Sequence, residues 1–322
     1  MTAPRSSVWL RCRGRRPDAR YRVVVFPHAG GTANAYWTWA AEFPADCEVW
    51  MTQYPGRENR SAEPLVDAMD PLVDGIAAAI ADQAQTWDTE APAVRPHSAG
   101  TPDRAGTSDP ARTGVPLVLF GHSMGASVAH ETARRLRERR PGLVRLLVVS
   151  ARAAPSVASP GQEHLLSRER FLEVLRGQGG TDESILEHED LLDYLLPIIR
   201  NDYRLIETYR PPSDDRLPVD ILAFAGADDP TVRVADVLAW ADVTTASFDG
   251  MIFPGGHFYL RENPAPVITE LVRHLRLVDQ REPSREARST PEPTWESSRP
   301  SGDSVDEMVV GCRARGPKGV RK

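Results

Sequence analysis

Cysteine is scarce in this chain: Cys12, Cys47 and Cys312 are the three in 322 residues. They are odd in number and widely scattered. They spell neither a disulfide framework nor a zinc site, and the pattern suits a reducing, cytoplasmic setting. None lies in a motif, so incidental or buried thiols are the plain reading. Basic excess is missing too. The formal net charge is −6 and the pI is about 5.8, unlike the strongly basic balance of nucleic-acid binders. No apolar run reaches the ~18 residues that a membrane span needs. Met1 to Tyr21 carries arginines but no apolar stretch, so a secretory signal is not expected. Histidines and carboxylates never fall at a metal-ligand spacing such as H-x-x-x-H, and no metal is expected.

What is present is a series of short apolar runs. Tyr21 to Phe26, Cys47 to Met51, Leu117 to Phe120, Val144 to Val149 and Ile221 to Ala225 read as buried strands, with Trp9 to Arg13 as an edge strand. Pro64 to Trp87 has helical periodicity, with Leu65, Met69, Leu72, Ile76, Ala79 and Ile80 sharing a face. Strands alternating with helices predict an α/β fold, with a mostly parallel central sheet covered by helices on both faces. Two segments break the rhythm. Residues 89–114 are rich in Pro, Ala, Thr, Ser, Gly and Asp and read as a flexible insertion. Residues 280–322 mix prolines, charges and serines, and read as a disordered tail behind one domain, residues 1–279.

Between Ser150 and Val219 lies a long helical stretch. Leu165 to Gln178 reads as one helix, and Glu183 to Tyr209 as one or two more, with Pro197 as a kink or a start. Apolar residues there exceed the single stripe that a surface helix needs. A helical lid over an apolar pocket, about residues 155–212, accounts for the excess; packing on the sheet is the alternative.

The most informative stretch is Gly121-His122-Ser123-Met124-Gly125, after one apolar run and before the helix-like Ala126 to Arg140. Strand, G-x-S-x-G and helix together force a serine onto a sharp turn with its hydroxyl exposed. Such a serine needs a base, and the base needs an acid. In this arrangement the partners follow in the order acid, then histidine. The apolar run ending at Ala225 leads into Gly226-Ala227-Asp228-Asp229, and Met251-Ile252-Phe253 leads into Pro254-Gly255-Gly256-His257. The triad candidates are therefore Ser123, Asp229 or its neighbour Asp228, and His257, each beyond a strand end where open α/β sheets place their ligands. A serine that merely caps the helix is the bland alternative, and it leaves the glycines and the later acid and histidine unexplained.

The developing oxyanion needs backbone donors. Met124 N–H, just after the nucleophile, is one. The other belongs to Phe26-Pro27-His28-Ala29-Gly30-Gly31, where the glycines let the backbone turn an N–H inward, and Ala29 is the choice. His28 would hold that loop, and His122 would pack beneath the serine. Arg57 and Arg60 could meet a phosphate or a carrier protein, but a turn held by arginine hydrogen bonds is the simpler reading. Arg134, Arg135 and Arg137 to Arg140 read as a solvated helix face.

These segments together resemble a family. Phe26-Pro27-His28-Ala29-Gly30-Gly31, Tyr54-Pro55-Gly56-Arg57, Gly121-His122-Ser123-Met124-Gly125-Ala126 and Gly255-Gly256-His257-Phe258, in that order, look like the type II thioesterases of polyketide and nonribosomal peptide assembly lines. The resemblance spans roughly Val23 to Leu277. It implies an α/β-hydrolase that clears aberrant or stalled acyl groups from carrier-protein phosphopantetheine arms. The implied partners are acyl or peptidyl carrier domains, met transiently. No cofactor is implied, since the pantetheine belongs to the substrate. The family pattern Gly-x-x-Asp-x-x-Val fits Gly226, Asp229 and Val232, which favours Asp229 as the acid. Two rivals stay open on the same residues: a carboxylesterase or lipase, and an inactive module that only binds a carrier. The 89–114 insertion and the tail depart from the family pattern, and they weaken the partner assignment most.

Overall fold

The computed structural model describes residues 7–90, 115–180, 188–211, 215–261, 263–280 and the backbone of 310–314. Every apolar run above becomes a strand. In chain order these are β1 (Leu10–Cys12), β2 (Tyr21–Phe26), β3 (Cys47–Thr52), β4 (Leu117–His122), β5 (Val144–Ser150), β6 (Asp220–Gly226) and β7 (Phe248–Phe253). An eighth, β8 (Val310–Ala314), closes the far edge. The spatial order is β1-β3-β2-β4-β5-β6-β7-β8. Strands β2 to β7 run parallel, and only β1 on β3 and β8 on β7 are antiparallel. The β8 strand corrects the expectation of a structureless tail at 310–314. The rest of that tail, and residues 91–114 of the insertion, lie outside the described residues.

Parallel strands buried on both faces explain why the runs are continuous rather than alternating. The two faces still sort by parity. Val24 and Phe26 of β2 join Leu117 and Leu119 of β4 in one core, while Val23 and Val25 join Val118 and Phe120 in the other. Among the described residues the α-helices are α1 (Trp39–Glu42), α2 (Met69–Glu90), α3 (Met124–Arg139), α4 (Arg168–Gln178), α5 (Glu189–Thr208), α6 (Val234–Leu238) and α7 (Ala265–Gln280). Helices α2 and α3 fill the first core through Leu72, Ile76, Ile80 and Val128. Helix α7 fills the second through Val267, Ile268 and Leu271. The arginines of α3 and its C-cap are not simply solvated: Arg134 and Arg137 pair with Asp215, Arg135 with Asp70 and Asp74, and the C-cap Arg140 with Asp88.

Helices α4 and α5 form a third, smaller cluster, built on Phe171, Leu175, Leu192, Leu196 and Ile199. Pro197 neither starts nor ends α5, which runs through it. Proline removes one backbone bond; the apolar face around it, with Leu196, Ile198 and Ile199 buried, offsets that loss. Among the described residues no helix is long and apolar enough to cross a membrane.

Candidate active site

The turn from β4 into α3 places Ser123 at φ 54°, ψ −121°, a strained backbone for a non-glycine residue. The glycines permit it sterically. A Cβ on Gly121 would lie 2.2 Å from the carbonyl oxygen of Gly125, and one on Gly125 2.1 Å from that of Phe26. Ser123 stands at the N-cap position of α3, yet its side chain makes no capping bond. Its Oγ lies 3.0 Å from His257 Nε2.

His257 follows β7 in the glycine-rich turn, and its Nδ1 is 2.8 Å from Asp229 Oδ2. The Asp229 side chain is 1% exposed and that of His257 5%. The loops are tied together: Ala227 N–H donates to Phe253 O, and Asp228 N–H to Gly255 O. Asp228 itself is exposed and points no bond at His257, so the geometry favours Asp229. Burial works to raise the Asp229 pKa, but the bonds from His257 and Thr231 outweigh it and hold the carboxyl below its ordinary value. Thr231 was not singled out from sequence. Its N–H and Oγ1 both donate to Asp229 Oδ1, each at 2.8 Å, and its Oγ1 is 3.0 Å from His257 Nδ1. The Asp-x-Thr spacing of an Asx turn is the signal that could have found it.

Ala29 and Met124 both line the cavity in front of Ser123. Met124 N–H belongs to the first turn of α3, where backbone donors lack helical partners. Ala29 N–H makes no hydrogen bond to another described residue. Ala29 sits in a turn closed by Gly31 N–H to His28 O at 2.8 Å, with Gly30 at φ +74°, the positive φ that a type II turn needs at its third residue. His28 braces the turn through Nδ1 to Tyr36 OH, 3.0 Å, and burial lowers its pKa to about 3.

This hydrogen-bonded serine, histidine and aspartate stand on the loops of a parallel α/β sheet, and a family model of the thioesterase domain matches residues 21–87 and 109–297. The chain belongs to the thioesterase family. It is 34% identical over 270 residues to the thioesterase PikA5 of Streptomyces venezuelae, covering 84% of this chain and 86% of that one. It is 32% identical to the gramicidin S biosynthesis protein GrsT of Aneurinibacillus migulanus, covering 81% and 91%. Among solved structures it resembles the type II thioesterase BorB from the borrelidin biosynthetic cluster, at 36% identity and a TM-score of 0.68, covering 85% of this chain and 100% of that one. These relatives place it with the type II thioesterases, as a thioester hydrolase on the α/β-hydrolase fold.

The cavity of this thioesterase measures about 520 Å³. Its floor is Ser123, His257 and the 28–31 turn; its cover is Leu195, Ile199, Tyr203 and Ile206 of α5 with Leu175 of α4. The far wall is polar, with Glu163, Glu207 and Arg152. Burial lowers the Arg152 guanidinium to about 10, and its Nε donates to Ser127 Oγ. No sequence pattern pointed to these three residues. Among the described residues no group of three histidine, cysteine or acidic side chains is placed to hold a metal ion.

A second serine–histidine pair lies behind the first. His122 Nδ1 is 2.9 Å from Ser150 Oγ, which is 2.6 Å from Tyr259 OH. The Ser150 carbonyl also accepts the Ser123 N–H at 2.8 Å. Both His122 and Ser150 are fully buried. This pair braces the turn that presents Ser123; it does not line the cavity.

Proposed function

We propose that this thioesterase hydrolyses acyl thioesters on the phosphopantetheine arms of acyl or peptidyl carrier proteins, and so clears stalled or aberrant groups from a polyketide or nonribosomal peptide synthase in the cytoplasm. The carrying observation is the Ser123–His257–Asp229 relay at 3.0 and 2.8 Å, open to a cavity of about 520 Å³. Ser123 attacks the thioester carbonyl as His257 Nε2 takes its proton. Asp229 fixes the imidazole through Nδ1 and stabilises the imidazolium. The N–H groups of Ala29 and Met124 bind the oxyanion. The thiolate leaves with the proton from His257, and water, activated by the same histidine, releases the acid.

Helices α4 and α5 act as the lid over the acyl chain, and the carrier presents its arm at the cavity mouth. The relatives' place in antibiotic biosynthesis supports the carrier-bound substrate. The test compares thiol release from acyl-carrier protein with hydrolysis of an oxygen ester bearing the same acyl group. Faster turnover of the carrier thioester is the expected result. A strong preference for the free ester would overturn the carrier assignment, and failure of folded protein to react with a fluorophosphonate at Ser123 would overturn catalysis by this serine.

A further inference from the structure

The turn that holds Ala29 is gripped from the far side of the cavity by α5. Asp202 Oδ2 accepts the Gly30 N–H at 2.8 Å. One helical turn earlier, Ile199 fills the space a Gly30 side chain would take, its Cγ1 2.5 Å from the position of a Cβ. Asp202 is 2% exposed, and a carboxylate so buried needs a partner. Arg57, 3% exposed, supplies it in a two-pronged pair, Nη1 to Oδ2 at 2.7 Å and Nη2 to Oδ1 at 2.8 Å. Arg57 Nη1 also donates to Gly31 O at 3.2 Å. The arginine of Tyr54-Pro55-Gly56-Arg57 thus joins the lid helix to both ends of the Gly30-Gly31 segment.

We propose that Asp202, clamped by Arg57, is a positioning residue for the oxyanion hole. The inference rests on the proposed role of Ala29 N–H. A turn with two adjacent glycines has little stiffness of its own. Fixing the Gly30 N–H holds the Ala29–Gly30 peptide, and the Gly31 N–H to His28 O bond holds the other end of the turn. Together they restrict the φ and ψ of Ala29, and so the tilt of the His28–Ala29 peptide that carries the Ala29 N–H. Oxyanion donors act by being preorganised, so an unanchored turn would lose transition-state stabilisation while leaving the acyl pocket intact. The helix that covers the acyl chain therefore also aligns the donor.

The test is steady-state kinetics on an acyl N-acetylcysteamine thioester. Asp202→Ala should lower kcat roughly 30- to 100-fold with KM within about twofold. Asp202→Asn keeps an acceptor for the Gly30 N–H and should return kcat to within about tenfold of the parent. Affinity for a trifluoromethyl ketone, which forms an oxyanion on Ser123, should fall in step with kcat/KM, while affinity for the unreactive thioether should hold. A folded Asp202→Ala enzyme with parent-like kcat, or a loss confined to KM, overturns the proposal. If Asp202→Ala does not fold, Asp202→Asn and Arg57→Lys decide it: each should lose about three- to tenfold in kcat, and parent-like kcat in both overturns it. Ser123→Ala in the same assay separates the readings. If it is inactive while Asp202 proves indifferent, only this inference falls; if it stays active, the triad reading falls.

Discussion

The molecule holds two serine–histidine pairs of nearly equal length, 3.0 Å at Ser123–His257 and 2.9 Å at Ser150–His122. They differ in what stands behind the imidazole's partners and in what can reach the serine. Behind His257 is Asp229, a carboxylate held ionised by its bonds, so an arriving proton meets a negative charge. Beyond Ser150 is Tyr259, a phenol whose burial pushes its pKa up and keeps it neutral. Burial first, and then the neighbouring His257 and His28, hold His122 well below the ordinary histidine value, which makes it a poor base. Ser123 opens on the cavity, whereas Ser150 is sealed in the core. A short serine–histidine distance therefore identifies a hydrogen bond; the charge behind the ring and the access in front of the hydroxyl are what favour Ser123 over Ser150 as the proposed nucleophile.

The comparison breaks most sharply at the serines. Ser123→Ala should lower kcat by about 10⁴-fold or more while leaving the fold intact. Ser150→Ala should keep kcat within about tenfold but cost roughly 1–3 kcal/mol of stability in urea unfolding, because His122 and Tyr259 lose their shared partner. A Ser150→Ala enzyme as dead as Ser123→Ala, yet equally stable, would reverse the two roles. The next contrast is in the third partner, which backs the imidazole in one pair and the serine in the other. Asp229→Asn should cost roughly 10³- to 10⁴-fold in kcat, Tyr259→Phe only a few-fold with about 1 kcal/mol of stability. Asp228→Asn should leave kcat within about threefold, as an exposed neighbour does; a greater loss there than at Asp229 would reassign the acid.

The pairing of Ser123 with His257 could be read from sequence because each member sits in a local pattern. Glycines flank Ser123 and precede His257, and each follows an apolar run. The parallel strands were legible for a related reason, since burial on both faces leaves uninterrupted apolar runs. The supporting residues were not. Gly30 and Asp202 meet across 172 residues, and Ser150 and Tyr259 across 109; neither contact leaves a periodic trace. Asp202 on a helix reads as one more solvent-facing acid, although it is buried against Arg57. A helix start at Pro197 was one of the two expectations, and α5 instead begins at Glu189 and runs through it, because local propensity says nothing of the packing that carries the helix past the proline. Strand β8 pairs through its backbone at the sheet edge, a role that short, polar stretches can fill without an apolar run.

The smallest effect concerns acid. His122, His28 and His274 are all held below the ordinary histidine range, burial being the first cause in each case. The unfolded chain takes up protons at these sites near pH 6.5, and the folded chain does not. Their contribution is therefore complete above pH 6.5 and is lost as the pH falls below it. Between pH 6.5 and 5 each such histidine costs about 2 kcal/mol at most. Asp229 has the same sign but another window: its lowered pKa adds stability that is lost only at more acid pH, below the ordinary carboxylate range, so it stays out of the histidine window. His122→Asn keeps a polar side chain but cannot titrate there. Urea unfolding at pH 7 and pH 5 should show the variant losing about 2 kcal/mol less on acidification than the parent. Equal losses in both would mean that His122 carries a proton in the folded state, and the buried pair would then be far closer in character to the active one than its surroundings imply.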